Sequence, residues 1–345
     1  MLKDFPKDTI VYVVDSETVP DILALIDALG LNFQDSTTYE NVIERFKKER
    51  FGADAKDPML PLAFQQIVAL PALRFHFSTE GSAGAMPDFN LINFISKPLP
   101  KNLPHASGNK VQDRLEWLLE GLKIENSALS AFMASIINDQ EAGHQVALIT
   151  WNGHGFDEAV FLMRANRRFP ASLESKAPLD NKSLEERADL HKKFFKRAEH
   201  RSEHDLWSRF SPLNIDLMKV IAGEHAFSAR TRQSDFASLQ GLPGKIKGPD
   251  DSVTMDGSQV ASMYFHSTRQ RQRIIDYGSH DVLTLALLFI NTMESFGMID
   301  HATRNFYFTA LVAYVEKEVK AHKSKKQHPF KVWLDDLKRL NPHGF

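Results

Sequence analysis

The chain has 345 residues, 43% of them hydrophobic and 25% charged, with a formal net charge of -2 and no cysteine. That composition fits an ordinary globular protein and excludes wholesale disorder, disulfides, thiolate metal sites and cysteine nucleophiles; metal chemistry is left to oxygen and imidazole ligands, for which Mg²⁺ is a natural hard cation. The near-neutral charge gives no global field for nucleic acid, so such a partner would have to meet a local basic surface.

In chain order, residues 9–16 form a continuous β-branched run, and residues 66–75 and 89–96 follow as two further strand candidates joined by a Gly/Ser-rich turn, an antiparallel start to a sheet. Residues 97–110 are Pro- and Gly-rich loop, and 115–137 repeat apolar residues at helical spacing. A short buried strand is expected over 146–151, an amphipathic helix over 155–167, and a fifth strand over 213–218. The charge-dense piece at about 176–210 reads as a helical insertion, whose lysines are either a solvated face or a path for a substrate backbone. A long helix is expected over 269–293, then a helical, basic tail over 301–345. The N-terminus lacks a signal-peptide pattern and the longest apolar run, 282–290, is too short for a bilayer, so the expected location is cytoplasmic with no membrane partner.

Three stretches carry chemistry. VYVVDSETVP at 11–20 places Asp15 and Glu17 at the end of a core strand, where alternation would send both to one face. Two carboxylates so close repel each other unless a cation lies between them, although a solvated strand end is the plainer reading. TWNGHGFD at 150–157 turns from strand to helix through Gly153 and Gly155 and puts Asp157 in the first helical turn, where it could simply stabilise the helix N-terminus. IDYGSHDVLT at 275–284 places Tyr277 and Asp281 one above the other on an apolar helix, unless that face is solvated. Asp216 closes a strand and reads as a cap, and the loop 241–245 offers Lys245 to a phosphate or to solvent.

The ordered set D-x-E, N-x-x-x-F-D, Y-x-x-x-D resembles the DEDDy 3′-to-5′ exonucleases of the ribonuclease H-like superfamily, most closely the predicted exonucleases related to the proofreading domain of family B DNA polymerases. IDLM at 215–218, LQGLPGK at 239–245 and MDGSQV at 255–260 look like that group's connecting pattern, and the similarity covers roughly 9–295. The resemblance implies an α/β, ribonuclease H-like fold with a five-stranded mixed sheet flanked by helices, a domain spanning 1–300. It implies that Asp15, Glu17, Asp157 and Asp281 hold two Mg²⁺ or Mn²⁺ ions, Asp157 through water. Tyr277 would orient the attacking water, and Asn152, Phe156 and Lys245 would meet the substrate. A related branch uses a histidine five positions before the last acid; here that position is Asp276, although His280 keeps the point open. The expected activity is 3′-to-5′ hydrolysis of single-stranded DNA or DNA 3′ ends to nucleoside 5′-monophosphates, with RNA exonuclease action or a silent nucleic-acid-binding scaffold as alternatives. No polymerase region accompanies these motifs, so proofreading in cis is not expected, and activity in trans or in DNA repair stays open. Protein partners stay open.

Overall fold

The structure is a computed structural model and describes residues 4–33, 38–52, 59–80, 87–102, 109–165, 189–190, 192–194, 206, 211–222, 232–245, 255, 257–322 and 328–342. Its centre is a five-stranded mixed sheet in the order β5 (Asn90–Asn93), β4 (Pro71–Ser78), β1 (Asp8–Val14), β6 (Val146–Thr150), β7 (Asn214–Asp216). β1 is antiparallel to β4 and parallel to β6; β4 and β5 are antiparallel, β6 and β7 parallel. The expected sheet is therefore present, with β1 central and buried on both faces, which is why Val11 to Val14 read as an unbroken apolar run.

One expected strand divides. Residues 65–78 form two strands: β3 (Gln65–Ala69) pairs with β2 (Glu17–Pro20) in a separate two-stranded sheet, and β4 pairs with β1. The antiparallel ribbon of 8–20 against 65–78 thus bends at Asp15–Ser16 opposite Leu70. Pro71 has no N–H to give to a continuous ladder; its carbonyl accepts from Asp15 N at 3.4 Å, while the Leu70 carbonyl turns to Phe94 N at 3.1 Å. A register irregularity follows between Glu17 and Thr18. Asp15 and Glu17 consequently straddle a bend, and strand alternation is not what brings them together.

Helices α1 (Ile22–Ala28) and α2 (Tyr39–Phe51) follow β2. The crossover helix α3 (Lys110–Glu141) is longer than its apolar repeat suggested, because Asn109 caps it by accepting from Val111 N and Gln112 N and it runs on to Gly143, which takes φ 89°. α4 (Asp157–Ala165) follows β6, and α5 (Leu217–Ala222) and α6 (Gln233–Leu239) follow β7. α7 (Val260–His266) leads into α8 (Thr268–Ser295), the helix at the core. Val282, Leu283 and Leu285 to Ile290 are fully buried against β4, β1 and β3, so the longest apolar run is core packing. Among the described residues no helix is long and apolar enough to cross a membrane.

The helices α9 (His301–Ala321) and α10 (Pro329–Leu340) bury Tyr307, Phe308, Leu311, Trp333 and Leu337 in the same core, where a basic tail was expected. The Tyr307 hydroxyl accepts from Ser78 N at 2.7 Å and the Tyr314 hydroxyl from Leu91 N at 2.9 Å, so α9 takes up donors of β4 and of edge strand β5. Trp333 Nε1 donates to Thr284 on α8 at 3.0 Å. Lys320 is exposed beside Glu316, and residues 323–327 lie outside the described residues.

Most of the 176–210 insertion also lies outside the described residues. Within it, Phe194 is buried edge-on to Phe132 of α3, and Lys193 pairs with Glu141 and Asp189. Phe194 is therefore a packing residue.

Candidate active site

The eight residues given a catalytic, metal or substrate role in the sequence line one cleft of about 480 Å³: Asp15, Glu17, Asn152, Phe156, Asp157, Lys245, Tyr277 and Asp281. Asp15 and Glu17 come from the bend between β1 and β2, Asn152 to Asp157 from the β6–α4 turn, Tyr277 and Asp281 from α8, and Lys245 from the loop after α6. Among the described residues that line it there is no histidine.

The carboxylate oxygens of Asp15, Glu17 and Asp281 lie within 4.8 Å of one another. Gly278 makes this approach possible. A Cβ there would stand 3.1 Å from Pro71 Cγ and 3.5 Å from Glu17 Cγ, so a glycine lets α8 close on the bend and carry Tyr277 and Asp281 to Glu17. Gln233 Nε2 donates to the Asp281 carbonyl at 2.7 Å and ties α6 to the same point. Asp157 lies outside that trio; its carboxylate accepts from Ser16 Oγ at 2.5 Å, which joins the start of α4 to the bend.

Crowding sets the protonation of these acids. Burial, with Asp15 as the next cause, pushes Asp281 up to about 8 from the usual carboxylate range. Burial raises Asp15 to about 6. Glu17 and Asp157 are also pushed well up, each by burial first and then by its acidic neighbours. The positive charge of Lys245 works against this at both Glu17 and Asp281, so the lysine faces the acids. Tyr277 is driven above its ordinary value by burial and then by Asp281, Glu17 and Asp15, beside which it lines the cleft. The phenol therefore keeps its proton at any working pH.

The β6–α4 turn is held by close approaches. A Cβ on Gly153 would fall 2.0 Å from Thr150 Oγ1, and one on Gly155 would fall 2.8 Å from Asn152 Oδ1. Asn152 takes the left-handed conformation, φ 59°, and its N–H donates to Asp216 Oδ1 at 2.9 Å. Asp216 also pairs with Lys219 at 3.1 Å, so this buried acid holds the turn in place and is not the simple cap expected of it. The far end of α4 is fixed by buried Arg164, whose Nη1 donates to Asp21 at 2.6 Å and whose Nε donates to Glu125 at 2.7 Å. Glu125 accepts from Ile67 N as well, at 2.7 Å, so α4, α1, α3 and β3 meet in one ionic knot behind the cleft.

The other residues weighed in the sequence lie elsewhere. His280 is buried against Phe330 of α10, with ring centroids 5.7 Å apart, and Asp276 accepts from Gln272 at 2.9 Å; neither lines the cleft. Sequence reasoning missed Ser16, Trp151, Met218, Arg232 and Gln233 on the cleft wall. Only Arg232 and Gln233 had a local signal, a polar pair opening a helix.

A five-stranded mixed sheet flanked by helices, with a carboxylate-lined cleft where acids from two strand ends meet one from a core helix, is an α/β fold consistent with the ribonuclease H-like exonucleases. The family described as predicted 3′-5′ exonucleases related to the exonuclease domain of PolB matches residues 114–336, and the chain belongs to that family. The match includes Asn152, Phe156, Asp157, Lys245, Tyr277 and Asp281, begins after Asp15 and Glu17, and runs on through α9 into α10, beyond the 9–295 covered by the motifs. No curated protein and no solved structure matches the chain.

Proposed function

We propose that the protein is a divalent-metal-dependent 3′-to-5′ exonuclease of the tyrosine-containing type, acting on DNA single strands or 3′ ends and releasing nucleoside 5′-monophosphates. The observation that carries this reading is the convergence of Asp15, Glu17 and Asp281 oxygens within 4.8 Å. A trio of that kind, with pKa values raised by burial and mutual repulsion, suits a hard cation and is costly without one. The donors are oxygens only, which favours Mg²⁺ or Mn²⁺ over softer metals. Asp15, Glu17 and Asp281 would hold the metal directly, and Asp157, beside Ser16, would complete the set for a second ion. Two bound ions would supply charge relief on the attacking and the leaving oxygen of a phosphodiester.

The chain's own groups divide the remaining tasks. Tyr277 stays neutral, so it orients a water molecule by hydrogen bonding and does not abstract its proton. Lys245 faces the acids and offers a cation to a phosphate oxygen. Asn152 and Phe156, presented by the turn that Asp216 holds, offer an amide and an aromatic face to the terminal nucleotide.

The test is turnover of end-labelled DNA and RNA oligonucleotides by purified protein with Mg²⁺, with Mn²⁺ and with a chelator. Stepwise shortening from the 3′ end of DNA that needs metal, and that disappears in Asp15→Ala and in Asp281→Ala, is the expected result. Shortening of RNA alone would move the substrate, and wild-type rates in either variant would remove the site assignment.

A further inference from the structure

A second pocket, of about 450 Å³, lies at the opposite end of α7 from the acidic cleft. Two elements lead from one to the other. Gly257, just before α7, lines the cleft, while Phe265 and His266 at the end of α7 line the pocket. Tyr277 and Asp281 of α8 line the cleft, while Arg271 lines the pocket. Arg271 and Tyr277 stand six positions apart on α8, about 9 Å along the helix axis.

The pocket is aromatic and positive. Tyr39 and Phe265 are half-buried with ring centroids 4.5 Å apart, and Tyr39 stacks on Trp117 at 6.2 Å. The Trp117 indole N–H donates to the Pro100 carbonyl at 2.7 Å, which fixes its plane. Arg271 forms a rigid floor: it is buried, donates to the Leu99 and Tyr264 carbonyls, and lies 5.2 Å from the Trp117 ring centroid. Arg114 stacks over Tyr39 at 5.1 Å, and Lys101 and Lys110 stand exposed at the rim. The lining carries four cationic side chains, Lys101, Lys110, Arg114 and Arg271, and two acids, Asp113 and Glu116, of which Glu116 accepts from Gln112. In a chain of net charge -2 this is a local excess of positive charge beside half-buried aromatic rings. Such a pairing is the chemistry that takes a base on a ring and its phosphate on a cation.

We propose that this pocket binds a nucleoside monophosphate unit, and that it does so as a second contact for a single strand whose 3′ end occupies the acidic cleft. The second clause rests on the nuclease reading; the chemistry of the pocket does not.

The experiment measures binding of a labelled single-stranded oligonucleotide, with a chelator present so that nothing is cut. It compares wild type with Lys101→Ala/Lys110→Ala, which changes only exposed side chains, and with Tyr39→Leu, which removes a ring and keeps apolar volume. The Tyr39 variant should bind at least roughly tenfold more weakly. The double variant should lose roughly 1.4 from the slope of log affinity against log salt, two phosphate contacts at about 0.7 each on a single strand. Hydrolysis of a 4-nitrophenyl ester of a nucleoside 5′-monophosphate, which has no second nucleotide to place in the pocket, should stay at the wild-type rate in both. Displacement of the strand by free nucleoside monophosphate from wild type but not from the double variant would assign the pocket to free nucleotide as well. Unchanged affinity and salt slope in both variants would overturn the proposal. A protein that hydrolyses neither oligonucleotide nor ester, yet binds strands through this pocket, would overturn the nuclease reading alone.

Discussion

Tyr277 is where the site's chemistry is most exposed to a single substitution. It is buried and lies beside three acids that hold its pKa up, so it can orient a water molecule without ionising. Tyr277→Phe should lower kcat roughly 10²-fold with little change in KM, because a group that only aligns the nucleophile acts in the transition state. A variant with raised KM and unaltered kcat would place Tyr277 in substrate binding instead. At this scale the sequence was informative at Asp15, Asp157 and Asp281, which all lie on the cleft. It was silent where the determinant is an absence of side chain or a partner far along the chain. Gly278 looks like a blemish in a helix until its closeness to Pro71 is seen, and nothing near Asp216 announces that it holds the backbone of Asn152.

The elements are held in register by a few specific contacts, and two of them can be tested. Alanine at Gly278 would improve helix propensity by about 1 kcal/mol but press on Pro71 and Glu17. Overpacking of that kind costs about 1–3 kcal/mol, so Gly278→Ala should lower the melting temperature modestly and the activity strongly, since any retreat of α8 carries Asp281 from its partners. Full activity with a raised melting temperature would show that the approach has slack. Arg164→Met leaves Asp21 and Glu125 buried without their cation, and should destabilise the fold by about 3–5 kcal/mol in chemical denaturation. An effect under about 1 kcal/mol would mean that water reaches the knot. Period and turn signals found β1, β6 and α8 because each is one continuous packing environment. They merged β3 with β4 because an apolar run looks the same whether it pairs with one sheet or two, and only Pro71 marks the break. They set α9 and α10 aside as a tail because the basic residues after 320 drew attention from Tyr307 and Trp333, which bury into the core.

Across the whole molecule, the acids make stability depend jointly on pH and on metal. The folded protein raises Asp15 to about 6 and Asp281 to about 8, both well above an unperturbed carboxyl, so it holds protons that the unfolded chain releases. The favourable contribution of these groups is complete below about pH 4, where both states are protonated. It is lost as pH rises through about 6 and then about 8, when four crowded carboxylates must ionise in the fold. Other groups act outside that window. Against the pull of burial, hydrogen bonds from Arg74 and Tyr12 hold Asp139 below its usual range, so its contribution is lost only as pH falls below about 4. Melting curves of metal-free protein should therefore fall between pH 4 and pH 8 relative to Asp281→Asn, which cannot ionise at that position. Divalent cations bind the deprotonated acids, so the gain in melting temperature from Mg²⁺ or Mn²⁺ should grow across the same window and shrink in the variant. Curves for wild type and Asp281→Asn that run parallel with pH, with a metal gain independent of pH, would mean that the three carboxylates do not share one cation.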